Sequence, residues 1–101
     1  MPKLFEYFGL IVRFYSNEHE PIHVHGVYRD RASRAELIIR NGEVIEMRFF
    51  SVKGRKPLGA RQDRDFRKLV AHFQGDIVQK WVDFFVLHKH VEPEIIKRRL
   101  P

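Results

Sequence analysis

The sequence contains no cysteine, which excludes a disulfide scaffold, a cysteine-ligated zinc finger and a thiol nucleophile. It has no apolar run near the roughly 18 residues that a membrane span requires, and no signal-peptide core follows its first residues. A glycine-rich phosphate loop, an HExxH motif and a GxSxG motif are also missing. Nothing therefore favours a nucleotide-binding fold, a zinc protease or a serine hydrolase. We expect a cytoplasmic protein that does not contact the membrane.

Length and composition indicate one domain spanning residues 1–101. Of the 101 residues, 44% are hydrophobic and 13% aromatic, which is enough to build a core. Lys and Arg number 19 against 13 Asp and Glu, a net charge of +6. Residues 1–50 carry seven basic and seven acidic side chains, whereas residues 51–101 carry 12 and six. An excess confined to half of the chain points to a surface that meets phosphate or an acidic partner.

Residues 1–50 have the composition of β-strands. Short aromatic and apolar runs between turn residues predict strands at residues 3–7, 10–15, 22–28, 34–40 and 43–50. Asn41-Gly42 is a strong signal for a two-residue hairpin. With that turn, Arg40 faces Glu43, Ile39 faces Val44, and Ile38 faces Ile45.

Residues 63–90 have the periodicity of helices. Phe66, Leu69, Val70 and Phe73 form one apolar stripe, and Gly75 separates this helix from a second one that contains Trp81. A basic loop, residues 51–62, precedes the helices, and a basic tail, residues 91–101, follows them. The order of elements predicts an α+β fold: an antiparallel sheet of four to five strands within residues 3–50, followed by two C-terminal helices packed on one face.

The densest chemistry lies in residues 17–25, which hold three histidines and two glutamates. If residues 22–28 form a strand, His23 and His25 project from the same face, and His19 approaches them from the preceding turn. Three imidazoles and a water would form an open zinc-type site. One interpretation of the cluster is thus a site in which His19, His23 and His25 bind a divalent metal such as zinc. This interpretation is the alternative to a protein that has no cofactor.

The same cluster supports two further interpretations. In a metal-independent endoribonuclease, one histidine takes the proton of a 2′-hydroxyl, another protonates the leaving oxygen, and an arginine stabilises the phosphorane. The catalytic residues would then be His19, His23 and His25 with Glu20, or Glu18 in its place. In the third interpretation, residues 17–21 are only a polar turn, and the histidines pack against Tyr15 and Tyr28.

Two basic groups are expected to contact nucleic acid. The loop carries Lys53, Arg55, Lys56 and Arg61, and the glycine and proline residues at 54, 57 and 59 indicate a flexible segment before a helix. The second group, Arg29, Arg31 and Arg34, lies between predicted strands. We expect these side chains to bind phosphates; the alternative is a solvated surface that keeps the protein soluble.

The run RFYSNEHEPIHVH, residues 13–25, resembles the signature of a small prokaryotic family classed as a domain of unknown function, number 4160. The resemblance extends more loosely to residues 81–85. The family's usual motif has a second proline where this chain has Ile22, and this chain has a longer hairpin through Asn41-Gly42 and a longer C-terminal tail than the shorter members. On the basis of this resemblance, the candidate site consists of the positions that match the signature: His19, Glu20, Pro21, His23 and His25. The family has no established catalytic residue to carry over.

The resemblance implies a stand-alone bacterial domain, encoded beside another small uncharacterised protein in an arrangement similar to toxin–antitoxin pairs. Together with the basic segments, it leads us to expect an RNA-binding, toxin-like component of a two-gene module. One alternative is a non-enzymatic interaction module whose basic face docks a small acidic partner protein encoded next door. Another is a metal-binding protein. The unpaired edges of a small antiparallel sheet are also consistent with a homodimer.

Overall fold

A computed structural model of the chain describes residues 2–15 and 21–101, which contain six strands and two α-helices. The strands are β1 (Lys3–Tyr7), β2 (Leu10–Arg13), β3 (Ile22–Tyr28), β4 (Arg31–Arg40), β5 (Glu43–Ser51) and β6 (Glu94–Ile96). The helices are α1 (Ala60–His72) and α2 (Gln74–Trp81), and one turn of π-helix (Val82–Val86) continues α2. The predicted α+β class, a sheet followed by two helices, is confirmed.

The six strands form one sheet in the order β5-β4-β3-β2-β1-β6. All neighbours are antiparallel except β1 and β6, which are parallel. The sequence predicts only a basic tail at residues 91–101, whereas Glu94–Ile96 pairs with the free edge of β1. This strand is short, and most of the residues around its two isoleucines are charged. The sequence therefore has no alternating apolar pattern here that would distinguish a strand from a tail. The Leu100 N–H donates to the Tyr7 hydroxyl at 2.9 Å and fixes the segment beyond it.

The hairpin at Asn41-Gly42 joins β4 to β5. Both residues have positive φ, 52° and 80°, as a type I′ turn requires. The predicted pairs Arg40–Glu43 and Ile39–Val44 are confirmed, but the predicted pair Ile38–Ile45 is wrong, because Ile38 faces Glu46. A β-bulge at this point adds one residue to β5, and a bulge of this kind shifts every later pair by one.

The helices pack on one face of the sheet. Phe66, Leu69 and Val70 of α1 are buried, and the ring of Phe66 lies against the backbone of Gly26 in β3. A Cβ on Gly26 would come within 2.6 Å of the Phe66 ring, so this strand position has space only for glycine. Because side chains alternate along β3, Val24 shares the helix-facing side with Gly26. Val24 is accordingly fully buried in the core.

Several boundaries differ from the predicted ones. The pairing of β2 ends at Arg13 instead of residue 15, and the Phe14 N–H donates to the Pro2 carbonyl at 3.2 Å. β4 begins at Arg31 instead of residue 34, because a two-residue turn brings Arg31 directly opposite Tyr28. Of the three arginines predicted between strands, only Arg29 therefore lies in the turn.

The helical region also has different limits. α1 begins at Ala60 instead of residue 63, and the predicted break at Gly75 falls at Phe73. Residues 88–90, predicted to be helical, lie outside the helix, because the Leu87 N–H closes the π-turn on the Val82 carbonyl and His88 then takes a φ of 54°. Within the described part of the chain, no helix has the length and apolarity to cross a bilayer.

Candidate functional site

The fold joins members of the two basic groups, Arg31 and Lys56, that lie more than twenty residues apart in the sequence. After β5, the chain turns back and lays Lys56 alongside Arg31, and the Ala32 N–H donates to the Lys56 carbonyl at 2.9 Å. Arg31 Nη1 donates to the Pro57 carbonyl at 3.2 Å, and Arg55 Nε donates to the Asp30 carbonyl at 3.3 Å. The segment predicted as a flexible loop is thus docked on the β3–β4 turn. We call Arg29, Arg31, Arg55 and Lys56 the basic end of the sheet; all four are exposed.

The other predicted basic residues lie around this end. Lys53 belongs to the turn that the Arg55 N–H closes on the Val52 carbonyl at 3.0 Å. Arg61 lies in the first turn of α1, between Gly59 and Gln62, two residues that line a pocket of about 330 Å³ together with residues 28–31. Arg34 lies further along β4, in the row of residues that includes His25.

His23 and His25 lie on the opposite side of β3 from Gly26 and Val24 in the strand alternation. We call this side, turned away from α1, the open face of the sheet. One row of it runs across four strands: Arg13 of β2 pairs with His25, His25 with Arg34, and Arg34 with Phe50 of β5. The sequence motif and part of the basic set therefore occupy adjacent positions on one surface.

His25 is nearly buried, with 7% of its surface exposed. The Tyr15 ring stacks on it, with the two ring centroids 4.1 Å apart and the planes at 23°. Burial, the neighbouring His23, and the charges of Arg34 and Arg55 lower the pKa of His25 from 6.5 to about 4. His25 is therefore neutral at pH 7, and Arg55 of the basic end is close enough to influence it.

His23 is held at the start of β3. Its Nδ1 lies 3.0 Å from the Pro21 carbonyl oxygen, so Nδ1 carries a proton and donates it to that oxygen. The ring is 5.8 Å from Trp81 and 6.3 Å from His25, centroid to centroid. Trp81 is 6% exposed and packs against the Phe14 ring as well.

The remaining residues of the predicted cluster, Glu18, His19 and Glu20, lie outside the described residues. Among residues 2–15 and 21–101, no three histidine or carboxylate side chains come together in an arrangement that would hold a metal ion. The metal triad and the catalytic set that include His19 thus stay predictions. The packing interpretation agrees with the stack of Tyr15 on His25, while Tyr28 contacts Arg29, whose guanidinium is 5.1 Å from its ring centroid.

Sequence reasoning missed two side chains of the site. Arg13 is paired with His25 across the β2–β3 ladder, and Phe50 ends the same row, with the Arg34 guanidinium 5.2 Å from its ring centroid. The Nε atoms of Arg13 and Arg34 are buried and find no hydrogen-bond partner in the part of the chain that the structure describes. The Arg34 Nη2 atom forms an ion pair with Glu36, at 3.1 Å. Strand alternation could have identified Arg13, because it places this residue on the face of His25 once the pairing of β2 with β3 is known.

Comparison with known proteins gives one match. A family model described as "Domain of unknown function (DUF4160)" matches residues 9–82, which include β2 to β5, the basic end and both helices. No curated protein and no solved structure matches the chain.

Proposed function

The chain belongs to the DUF4160 family, and we propose that it binds RNA through the basic end of its sheet. The observation that carries this proposal is the docking of the 52–58 segment on the β3–β4 turn. That docking gathers four cations, and within residues 29–31 and 52–58 the one carboxylate is Asp30. A cluster of this kind attracts a polyanion and releases its counterions on binding.

Two arginines of the basic end are held in place and still have free hydrogen-bond donors. Arg31 and Arg55 each donate to a backbone carbonyl at the junction of the turn and the docked segment. A guanidinium has five N–H donors, so each retains several for a ligand. Because the side chains are already held, less conformational entropy is lost when they bind phosphate in the bidentate geometry that suits arginine.

The geometry supports binding more directly than cleavage. A neutral His25 can accept a proton, but it cannot act as the acid that protonates a leaving oxygen at neutral pH. The stacked Tyr15 ring also covers it. RNA cleavage by the histidines is therefore a second candidate function, separate from binding, and it requires His23 or His19 as the acid. The toxin-like role that the family resemblance suggests belongs to this second candidate.

The test is a salt-dependent titration of RNA by fluorescence anisotropy. We expect the logarithm of the binding constant to fall linearly with the logarithm of salt concentration. Arg55→Glu should weaken binding by about tenfold or more and reduce the slope. The matched control is Arg40→Glu, an exposed arginine beside the Asn41-Gly42 hairpin, at the other end of β4. It should leave the affinity within about twofold of the unmodified chain, as expected for a remote charge.

Three results would overturn the proposal. The first is a lack of RNA retention at low salt. The second is equal loss of affinity in the Arg55 and Arg40 variants, which would reduce the effect to net charge. The third is equal or tighter binding of polyglutamate, which would assign the basic end to the small acidic protein partner instead.

A further inference from the structure

The open face carries two exposed aromatic rings at positions where a solvated sheet face normally carries polar side chains. Tyr15, just beyond β2, is 43% exposed, and Phe50, on β5, is 41% exposed. Both belong to the face of His25: Tyr15 stacks on that ring, and Phe50 ends the row of residues that crosses it.

Each ring is held from beneath by a polar group. Tyr15 rests on the neutral imidazole of His25, and Phe50 has the Arg34 guanidinium 5.2 Å from its centroid. A ring fixed in this way keeps an outward surface available and loses little entropy when another flat group stacks on it. The Tyr15 ring stacks on His25 of β3, and β3 is two strands from β5, so two spacings of about 4.8 Å place the rings about 10 Å apart across the sheet. Adjacent unstacked nucleotides can cover this span.

The charges beside the Tyr15 and Phe50 rings indicate which kind of planar ligand can stack on them. Arg13 and Arg34 flank His25 in the row, and the positive charge of Arg55 in the basic end also acts on this imidazole. The carboxylates on this face, Glu36 and Glu46, are already paired with Arg34 and Arg48 at 3.1 Å and 2.8 Å. The surface between the rings thus offers guanidinium donors and no unpaired acid among the residues of that row, which suits a ligand that combines aromatic bases with phosphates.

We propose that the open face binds single-stranded RNA, with bases stacked on Tyr15 and Phe50 and with the chain of phosphates following Arg13 and Arg34 to the basic end. This inference rests on the proposed function and gives its substrate class. A duplex cannot use these rings, because its bases are stacked on one another, whereas unpaired bases offer their faces to aromatic side chains.

The experiment compares a single-stranded RNA oligonucleotide with a blunt duplex of the same length. The probe strand carries 2-aminopurine, whose fluorescence falls when the base stacks on a ring. We expect tighter binding of the single strand and quenching on binding. Tyr15→Leu and Phe50→Leu should each weaken binding of the single strand by about five- to 100-fold, since one base–ring stack contributes that much. Duplex affinity and the salt slope should stay unchanged.

Two controls keep the outcome interpretable. Phe8→Leu removes an exposed ring that Arg99 covers at 4.0 Å in the β1–β2 turn, and it should leave affinity unchanged. Phe50→Tyr keeps a stacking surface and should restore binding and quenching, which separates a stacking role from a structural one.

Equal affinity for duplex and single strand, or no effect of the two leucine variants on binding, would overturn this inference while leaving RNA binding by the basic end intact. Loss of the Arg55→Glu effect together with no RNA retention would overturn both. Weaker binding in the Phe8 control equal to that in the Phe50 variant would also contradict the stacking role.

Discussion

Tyr15 and His25 stack with their ring centroids 4.1 Å apart. The tyrosine covers a histidine that is only 7% exposed and that lies between two arginines in the row. This one contact relates the sequence motif to the rest of the molecule. It buries the imidazole, keeps it neutral beside the guanidiniums, and presents the tyrosine ring outward. The same relationship determines how the protein should respond to pH.

Stability should fall as the pH is lowered from about 6.5 to about 4, the interval between the ordinary pKa of histidine and that of His25 in the fold. The unfolded chain takes up a proton on His25 in this interval and the folded chain does not, so stability rises with pH across it. A shift of this size corresponds to about 3 kcal/mol at most. Urea unfolding at several pH values measures the change, and an NMR titration of His25 gives its pKa directly.

His25→Phe keeps a ring under Tyr15 but removes the titration, so its stability should depend less on pH in this interval. The control is His90→Gln, an exposed histidine whose Nε2 lies 2.8 Å from Glu92. A measured pKa of His25 near 6.5, or identical pH profiles for the parent chain and His25→Phe, would contradict the prediction.

Gly26→Ala should destabilise the fold by about 1–3 kcal/mol, because the added methyl group overpacks the contact with Phe66. Gly75→Ala is the matched control: no atom lies within 4 Å of its added Cβ, and the residue is in α2. There the substitution should stabilise by up to about 1 kcal/mol through helix propensity. Thermal and urea unfolding of both variants tests the pair, and equal changes of stability would show that Gly26 has room to spare.

The class of the fold follows from the sequence because its signals are local. Alternation in residues 1–50, the Asn41-Gly42 turn and the stripe around Phe66 each depend on neighbours in the chain. The sixth strand does not, since Glu94–Ile96 becomes a strand only because β1 leaves an edge for it. The bulge in β5 opposite Ile38 and Ile39 is likewise set by packing between two strands, so the predicted partner of Ile38 was wrong by one residue.

The candidate site also combines features that local sequence patterns predict with features that depend on contacts between distant residues. The strand period placed His23 and His25 on one face, and the charge count pointed to Arg55 and Lys56. Lys56 pairs with Arg31, more than twenty residues away in the sequence, because the chain turns back after β5. No local sequence pattern predicts this contact. Arg13 and Phe50 were missed for the same reason, because their relation to His25 exists only across strands.

Removing the hydroxyl of Tyr7 should cost about 1 kcal/mol, because the Leu100 N–H loses its acceptor on a side chain that is 1% exposed. Tyr7→Phe should also loosen β6, so the amides of Glu94–Ile96 should exchange hydrogen faster. Tyr28→Phe serves as the control, since that ring is only half-buried and lies beside Gly9. If amide exchange in β6 does not change in Tyr7→Phe, the tail is held by its strand pairing alone.

Incubation with the protein should leave RNA bound but intact at neutral pH, because His25 is neutral and covered by Tyr15. Gel analysis of a labelled oligonucleotide, with and without a chelator, measures this outcome. Two results would restore the catalytic interpretations of the cluster. Cleavage that His23→Ala abolishes, and that the exposed control His88→Ala retains, would establish acid–base chemistry at the motif. Cleavage that chelation removes and zinc restores would establish the metal site of His19, His23 and His25 instead, because three imidazoles supply the ligands of an open zinc centre.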